Sequence, residues 1–252
     1  MKFWGTIYIM FSYFTKGVKD STPKKAINFN ELVDLIKNNP KKDIIEDIRK
    51  RKLSGDQTYK FLKESLPNIT PNCVLKHKKL SNNNFNNNFS YFSNYLYFDI
   101  DNVSSEYKNH IISKYGDSVC LVSYSSGGGG LSILVRVLCT LTEDNFKSVW
   151  YHIRNTLFKD ENIDEMCCNI SRCWFIPYDE YVYTNESAAV KVDTNSMDNY
   201  QNAKQGKLSK NNINYIPNCT YKSIDIKIVL KKLNLQTSIT VTNGIITACT
   251  GV

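Results

Sequence analysis

From Tyr95 to Asp101 the chain alternates with a period of two. Leu96, Phe98 and Ile100 fall on one face of an extended strand, and Tyr95, Tyr97, Asp99 and Asp101 fall on the other. Downstream the period lengthens. Tyr107, Ile111 and Tyr115 stand four apart and predict a short helix, and Val119–Tyr124 predicts a strand. SSGGGG is a turn, and Leu131–Leu138, with Val135 and Val137, is the next strand. Thr140-Leu-Thr-Glu143 has the form of a capping box before the helical stripe Phe146, Val149, Trp150, Ile153 and Leu157. Arg172–Ile176 reads as a last strand, stopped by Pro177.

The order is β-α-β-β-α-β, an α+β class built on the split unit of ferredoxin-like and RNA-recognition-motif-like folds. That topology sets the first and third strands side by side and the fourth against the first. Asp99 and Asp101 are then expected in the middle of an open sheet face, between Leu131–Leu138 and Arg172–Ile176.

Ahead of this core the pattern is mainly helical. MKFWGTIYIMFSYF reads as a buried strand, being aromatic-rich, too short to span a bilayer and without a small-residue cleavage site. Leu32, Leu35 and Ile36 repeat at helical spacing up to Pro40, and Ile44, Ile45 and Ile48 begin another helix that Gly55 interrupts. Tyr59, Leu62 and Leu66 continue the period to LPNITPN, where Pro67 and Pro71 predict an extended turn. SNNNFNNNFS reads as a polar loop. After Asn185 the rhythm fades: NAKQGKLSKNNIN reads as a linker, Ile224–Leu235 as a basic helix, and TSITVTNGIITACTGV carries no clear pattern. The expected domains are 1–190, with a helical unit about 20–72 and a core about 93–180, then a linker and basic segment over 191–252.

Composition narrows the classes. With 42% hydrophobic residues in 252, a sizeable core is available. Lys and Arg outnumber Asp and Glu by 32 to 24, for a net charge of +8, which favours a polyanionic partner although basic surfaces are common. None of the 8 cysteines forms a C-x-x-C pair, and Cys167, Cys168 and Cys173 lack zinc-finger spacing. Reduced thiols in a soluble, cytoplasmic protein with no membrane partner are expected. No G-x-x-x-x-G-K-[ST] is present, which excludes a P-loop ATPase in this chain.

Three constellations bear on chemistry. Asp99 and Asp101 suit a hard divalent cation, Mg²⁺ or Mn²⁺, which takes one or two carboxylates plus substrate phosphates. A strand running into an Asp-Asn turn with both acids solvated explains the same residues. Asp164 is the candidate third acid, with Glu165 and Asp179 as competitors. The turn Ser125, Ser126, Gly127, Gly128, Gly129 and Gly130 can bring backbone N–H groups against phosphate, or serve as a flexible hairpin loop. Arg172 can neutralise phosphate or pair with the acids. Trp174 and Phe175 read as core rather than as base-stacking platforms, and Lys60 and Lys63 as nucleic-acid contacts or a solvated helix face.

Taken together, four segments resemble the VirE N-terminal-type domain of the archaeo-eukaryotic primase superfamily of phage and mobile-element replication proteins. They are KFLKESLPNITPN, YLYFDIDN, SYSSGGGGLSILVRV and DEMCCNISRCWFIPYDEYVYTN, in order over roughly residues 10–185. The resemblance implies a recognition-motif-like catalytic core with a helical N-terminal unit, and metal-dependent primase or primase-polymerase chemistry. It implies Asp99, Asp101 and Asp164 as catalytic metal ligands. Ser125, Ser126, Gly127–Gly130, Ser132 and Arg172 would hold the nucleotide. Single-stranded DNA would be template, NTP or dNTP substrate, and a separate helicase the partner. At one position the chain departs: where members place a His after the glycine turn, it has Ser132, whose hydroxyl can bond phosphate but carries no charge. A non-catalytic nucleic-acid-binding module and a metal-dependent nuclease are the alternatives.

Overall fold

The computed structural model describes residues 10–80 and 83–194, together with the backbone of 237–242 and 245–250. The chain divides into two units, Ile9–Asn218 and a second that joins residues 1–8 to 219–252. The opening residues 1–9, the linker and the basic helix expected over 224–235 lie outside the described residues.

The first unit opens with a layer richer in strands than the helical pattern predicts. Strand β1 (Met10–Phe14) pairs antiparallel with β2 (Lys25–Asn28). Asn28 then caps α1 (Phe29–Lys37): its side chain accepts from the Glu31 amide while Glu31 reaches back to the Asn28 N–H, a full capping box. Helix α2 (Lys42–Leu53) and the short α3 (Tyr59–Glu64) follow as expected. The LPNITPN segment holds β3 (Asn68–Thr70), antiparallel to β1. Strand β4 (Cys73–Leu75), helix α4 (Phe85–Asn88) and strand β5 (Phe89–Phe92) come next, with β4 and β5 paired. The polar SNNNFNNNFS segment thus supplies α4 and the start of β5. Ring packing of Phe85 on Phe89 and Phe89 on Phe92, at 4.7 and 4.8 Å, supplies the apolar contact that its composition conceals.

The central sheet follows the predicted alternation. Strand β6 (Tyr95–Asp101) is bracketed by Asn94 and Asn102, both left-handed at φ 59 and 57°, a conformation Asn tolerates better than most residues. Helix α5 (Tyr107–Tyr115), strand β7 (Leu121–Tyr124), strand β8 (Gly130–Leu138) and helix α6 (Phe146–Thr156) complete a β-α-β-β-α run. β8 lies antiparallel between β6 and β7. Leu96, Phe98 and Ile100 are buried, and Phe98 stacks on Trp150 of α6 at 5.0 Å. The cap of α6 differs from the expected Thr140–Glu143 box. Thr142 and Asn145 exchange reciprocal bonds in the turn that precedes the helix, which begins only at Phe146.

The fourth strand departs from expectation. Only β9 (Trp174–Phe175) forms within Arg172–Ile176, and it pairs with β3 in the first sheet, giving the order β2-β1-β3-β9. The position beside β6 goes instead to a single antiparallel bridge, Ile100 to Ile163, reinforced by the Asp164 amide donating to the Asp99 carbonyl at 2.9 Å. The sheet is extended on its other side by β10 (Tyr183–Thr184) against β7 and β11 (Val190–Lys191) parallel to β8.

The second face of β6 is therefore not open along its length. Phe11 and Phe29 cover Tyr95, Trp174 covers Tyr97 at 5.3 Å between rings, and only the Asp99–Asp101 end escapes the overlying layer. Among the described residues no helix is long and apolar enough to cross a membrane. In the second unit, β12 (Thr237–Thr242) and β13 (Ile245–Thr250) form an antiparallel pair. The sequence between them is Asn-Gly, the pair most favoured in two-residue hairpins.

Candidate functional site

Asp99 and Asp101 share the uncovered end of β6, opposite Ser132 and Gly130 of β8 respectively. Glycine is needed at 130, because a Cβ there would lie 2.6 Å from the Ile100 carbonyl oxygen and 3.3 Å from Asp101 Oδ1. Ser132 is buried: its Oγ donates to Asp99 Oδ1 at 3.3 Å and shares a hydrogen bond with the Tyr97 hydroxyl at 3.0 Å. That relay holds one Asp99 oxygen in place. Burial, then the Asp101 charge, pushes the Asp99 carboxyl up to about 6, against the pull of Lys63, Arg172 and Ser132. The repulsion expected between two acids on one strand face is therefore present in the fold.

A cavity of about 340 Å³ opens beside Asp99. Ser125, Ser126, Ser132, Arg172 and Lys63 line it with Tyr97, Trp174 and Phe175; Asp101, Asp164, Lys60 and Gly127–Gly130 lie outside its wall. Lys60 is exposed on α3, whereas Lys63, one turn on, is part-buried. Burial lowers the Lys63 pKa while Asp99 and Asp101 raise it, so this lysine senses both acids. Trp174 is buried against Tyr97, and the part-buried Phe175 packs on the small cluster of Ile45, Ile48 and Leu66, as their core reading requires.

The glycine turn is packed by a helix that its sequence gives no hint of. The Ser125 amide bonds the Gly130 carbonyl at 2.8 Å and the Gly128 amide bonds the Ser125 carbonyl at 2.9 Å, so both are used within the turn. From α2, Arg49 donates to the carbonyls of Ser125 and Tyr178 at 3.1 and 2.8 Å. Gly128 sits at φ +74°, and a Cβ there would come within 2.9 Å of Arg49 Cγ. Lys52 Nζ would lie 3.3 Å from a Cβ at either Gly127 or Gly129. Sequence reasoning missed Arg49 and Lys52. Their signal is the run Arg49-Lys-Arg-Lys52 at the end of α2, indistinguishable by itself from a solvated helix face.

Of the three candidate third acids, Asp164 is tied to β6 by its amide, which donates to the Asp99 carbonyl. Its carboxylate is committed elsewhere: Oδ1 accepts from the Met166 amide at 2.9 Å, and Oδ2 pairs with Arg172 at 3.1 Å. Asp179 is buried in an ion pair with Lys108 at 2.7 Å and also accepts from the Tyr124 amide at 2.9 Å. Glu165 accepts from the Tyr151 hydroxyl at 3.0 Å. Neither competitor lines the cavity.

Among the described residues no group of three carboxylate, imidazole or thiol side chains is placed to hold a metal ion. The two acids of β6 still suit a Mg²⁺-type cation, which needs only one or two protein carboxylates when phosphate oxygens supply the remaining ligands. Burial, and then the Asp101 charge, make ionisation of Asp99 costly, a cost that a cation at that position would offset. No family model, curated protein or solved structure matches this chain. The site's chemistry rests on its residues alone.

Proposed function

We propose that the protein is a primase or primase-polymerase-like nucleotidyltransferase, working in the cytoplasm on single-stranded DNA with NTP or dNTP and Mg²⁺ or Mn²⁺. One observation carries the reading. Asp99, one of two carboxylates at the end of a strand, lines a cavity whose wall also presents Lys63 and Arg172, so groups suited to a cation and groups suited to phosphate stand together.

In this reading Asp99 and Asp101 would hold a divalent cation, which when bound would supply positive charge to offset the negative charge developing on phosphate oxygens. Ser132 and Tyr97 fix the orientation of Asp99. The side chains of Lys63 and Arg172 neutralise the nucleotide's phosphates and the departing pyrophosphate. A 3′-hydroxyl attacks the α-phosphorus, a new P–O bond forms, the bond to pyrophosphate breaks, and the hydroxyl proton passes to solvent. The recognition-motif-like core is supported by the β6-α5-β7-β8-α6 order with β8 between β6 and β7. A separate helicase would open the template.

A second reading, a non-catalytic single-strand-binding module, is favoured by the commitment of Asp164 to Arg172 and by Ser132 standing where a charged His is expected. A 5′-labelled primer annealed to a longer template, with dNTPs and Mn²⁺, separates the possibilities. Lengthening by wild type and not by Asp101→Asn supports nucleotidyl transfer. Unchanged length with retained binding supports the module, and shortening supports a nuclease.

A further inference from the structure

Resting on the nucleotidyl-transfer reading, we infer that Lys52 and Lys63, delivered by α2 and α3, are the side chains that grip the phosphate chain of the incoming nucleotide. Lys63 reaches the cavity wall beside Asp99, Ser125 and Arg172. Among the described residues its ammonium makes no hydrogen bond or ion pair, and it stands 5.7 Å from the centre of the Phe175 ring. A part-buried ammonium without an acceptor is costly, and an anionic ligand removes that cost.

Lys52 repeats the pattern on the adjoining turn. Its Nζ lies over Gly127 and Gly129, where the missing Cβ atoms leave the approach clear, and it too bonds no acceptor among the described residues. Lys52, Arg172, Asp99 and Asp101 all lie close enough for their charges to act on Lys63. Arg172 supplies a third donor: one terminal nitrogen pairs with Asp164, but its buried Nε has no partner among the described residues.

Lys63 and Arg172 on the cavity wall, with Lys52 over the adjoining glycine turn, match a short chain of several charges better than a single phosphodiester. A triphosphate can span the lysines and still turn its inner phosphate toward Asp99 and Asp101. The glycines then act by admitting Lys52 to the turn, with the Ser125 and Gly128 amides already bonded within it. Nothing in local sequence pattern links α2 to this turn; only the fold brings them together.

The probe is inorganic tripolyphosphate, titrated calorimetrically at low salt in chelator, so that binding needs no metal. Charge-assisted hydrogen bonds of this kind are worth about 1.5–3 kcal/mol, so Lys63→Gln and Lys52→Gln should each weaken binding about tenfold or more. Lys63→Arg should retain most of it, and Lys37→Gln, on the exposed end of α1, should change nothing. Thermal unfolding of each variant checks that folding is intact. A parallel titration with oligo-dT separates the two sources of phosphate: the lysine variants should bind it within about twofold of wild type. Tripolyphosphate binding that is absent from wild type, or unmoved by both variants, overturns the inference. So does loss confined to oligo-dT. If both lysines prove necessary for tripolyphosphate while wild type never extends a primer, the phosphate site stands and nucleotidyl transfer falls.

Discussion

Replacing Asp99 by Asn should make the metal-free protein more stable at neutral pH while abolishing its proposed activity. Asp99 is held at about 6 in the fold against 3.8 for the free carboxyl. At about 1.4 kcal/mol per unit, ionised Asp99 costs up to about 3 kcal/mol, less whatever solvent screens at this part-exposed position. Because the folded value lies above the unfolded one, the native state holds the proton more tightly. Below about pH 4 the side chain is neutral in both states and costs nothing. The cost grows between 4 and 6 and is complete above 6. Urea unfolding in chelator should therefore show Asp99→Asn level with wild type near pH 4 and about 2–3 kcal/mol more stable at pH 8. Asn can still accept the Ser132 hydrogen bond, so the comparison isolates charge. Saturating Mg²⁺ should raise wild-type stability and narrow the gap. A variant no more stable than wild type at pH 8 in chelator would refute the electrostatic reasoning.

Other substitutions probe the scaffold. Asp179→Ala strands the buried Lys108 ammonium and should cost about 3–5 kcal/mol in urea unfolding, since the pair sits 6% and 3% exposed. Gly128→Ala must adopt φ +74° against Arg49 and should cost about 1–2 kcal/mol or more, seen as a lowered midpoint; a change below a few tenths would show that the turn relaxes freely. Phe98→Ala removes the ring packed between Trp150 and Phe158 and should cost about 3–5 kcal/mol, read by the same unfolding assay.

The parts of the fold legible from sequence are those with enough residues to show a period. Strand β6, with Leu96, Phe98 and Ile100 buried on one face, and helix α6, with Phe146, Val149, Trp150 and Ile153 buried, could be read directly. Strands β3, β9, β10 and β11 have only two or three residues each, too few for alternation to register. β3 is further hidden between Pro67 and Pro71, which read as breakers, and of β12–β13 only the intervening Asn-Gly pair carries a local signal. Placement of β9 beside β3 rather than β6 is a tertiary outcome: Trp174 covers Tyr97 from the opposing layer.

The candidate site divides in the same way. Asp99, Asp101 and the Ser-Gly turn were visible because residues of distinctive type sit close together in the chain. Ser132 lines the cavity where it is expected to meet the nucleotide, and it also orients Asp99, a role set by strand register between β6 and β8. Asp164 stands beside Asp99 through a backbone bond but turns its carboxylate to Arg172, and no spacing rule foretells that pairing. Arg49 and Lys52 were invisible because a basic helix end looks the same whether it faces water or a phosphate site.

Incorporation of α-labelled nucleotide on single-stranded DNA, by wild type and Asp101→Asn prepared together with Mg²⁺ or Mn²⁺, tests the central claim most directly. Template-dependent labelled product from wild type and none from the variant is the predicted result. Equal product from both, or none from a wild type that binds the template, would contradict the assignment of Asp99 and Asp101 as the catalytic pair.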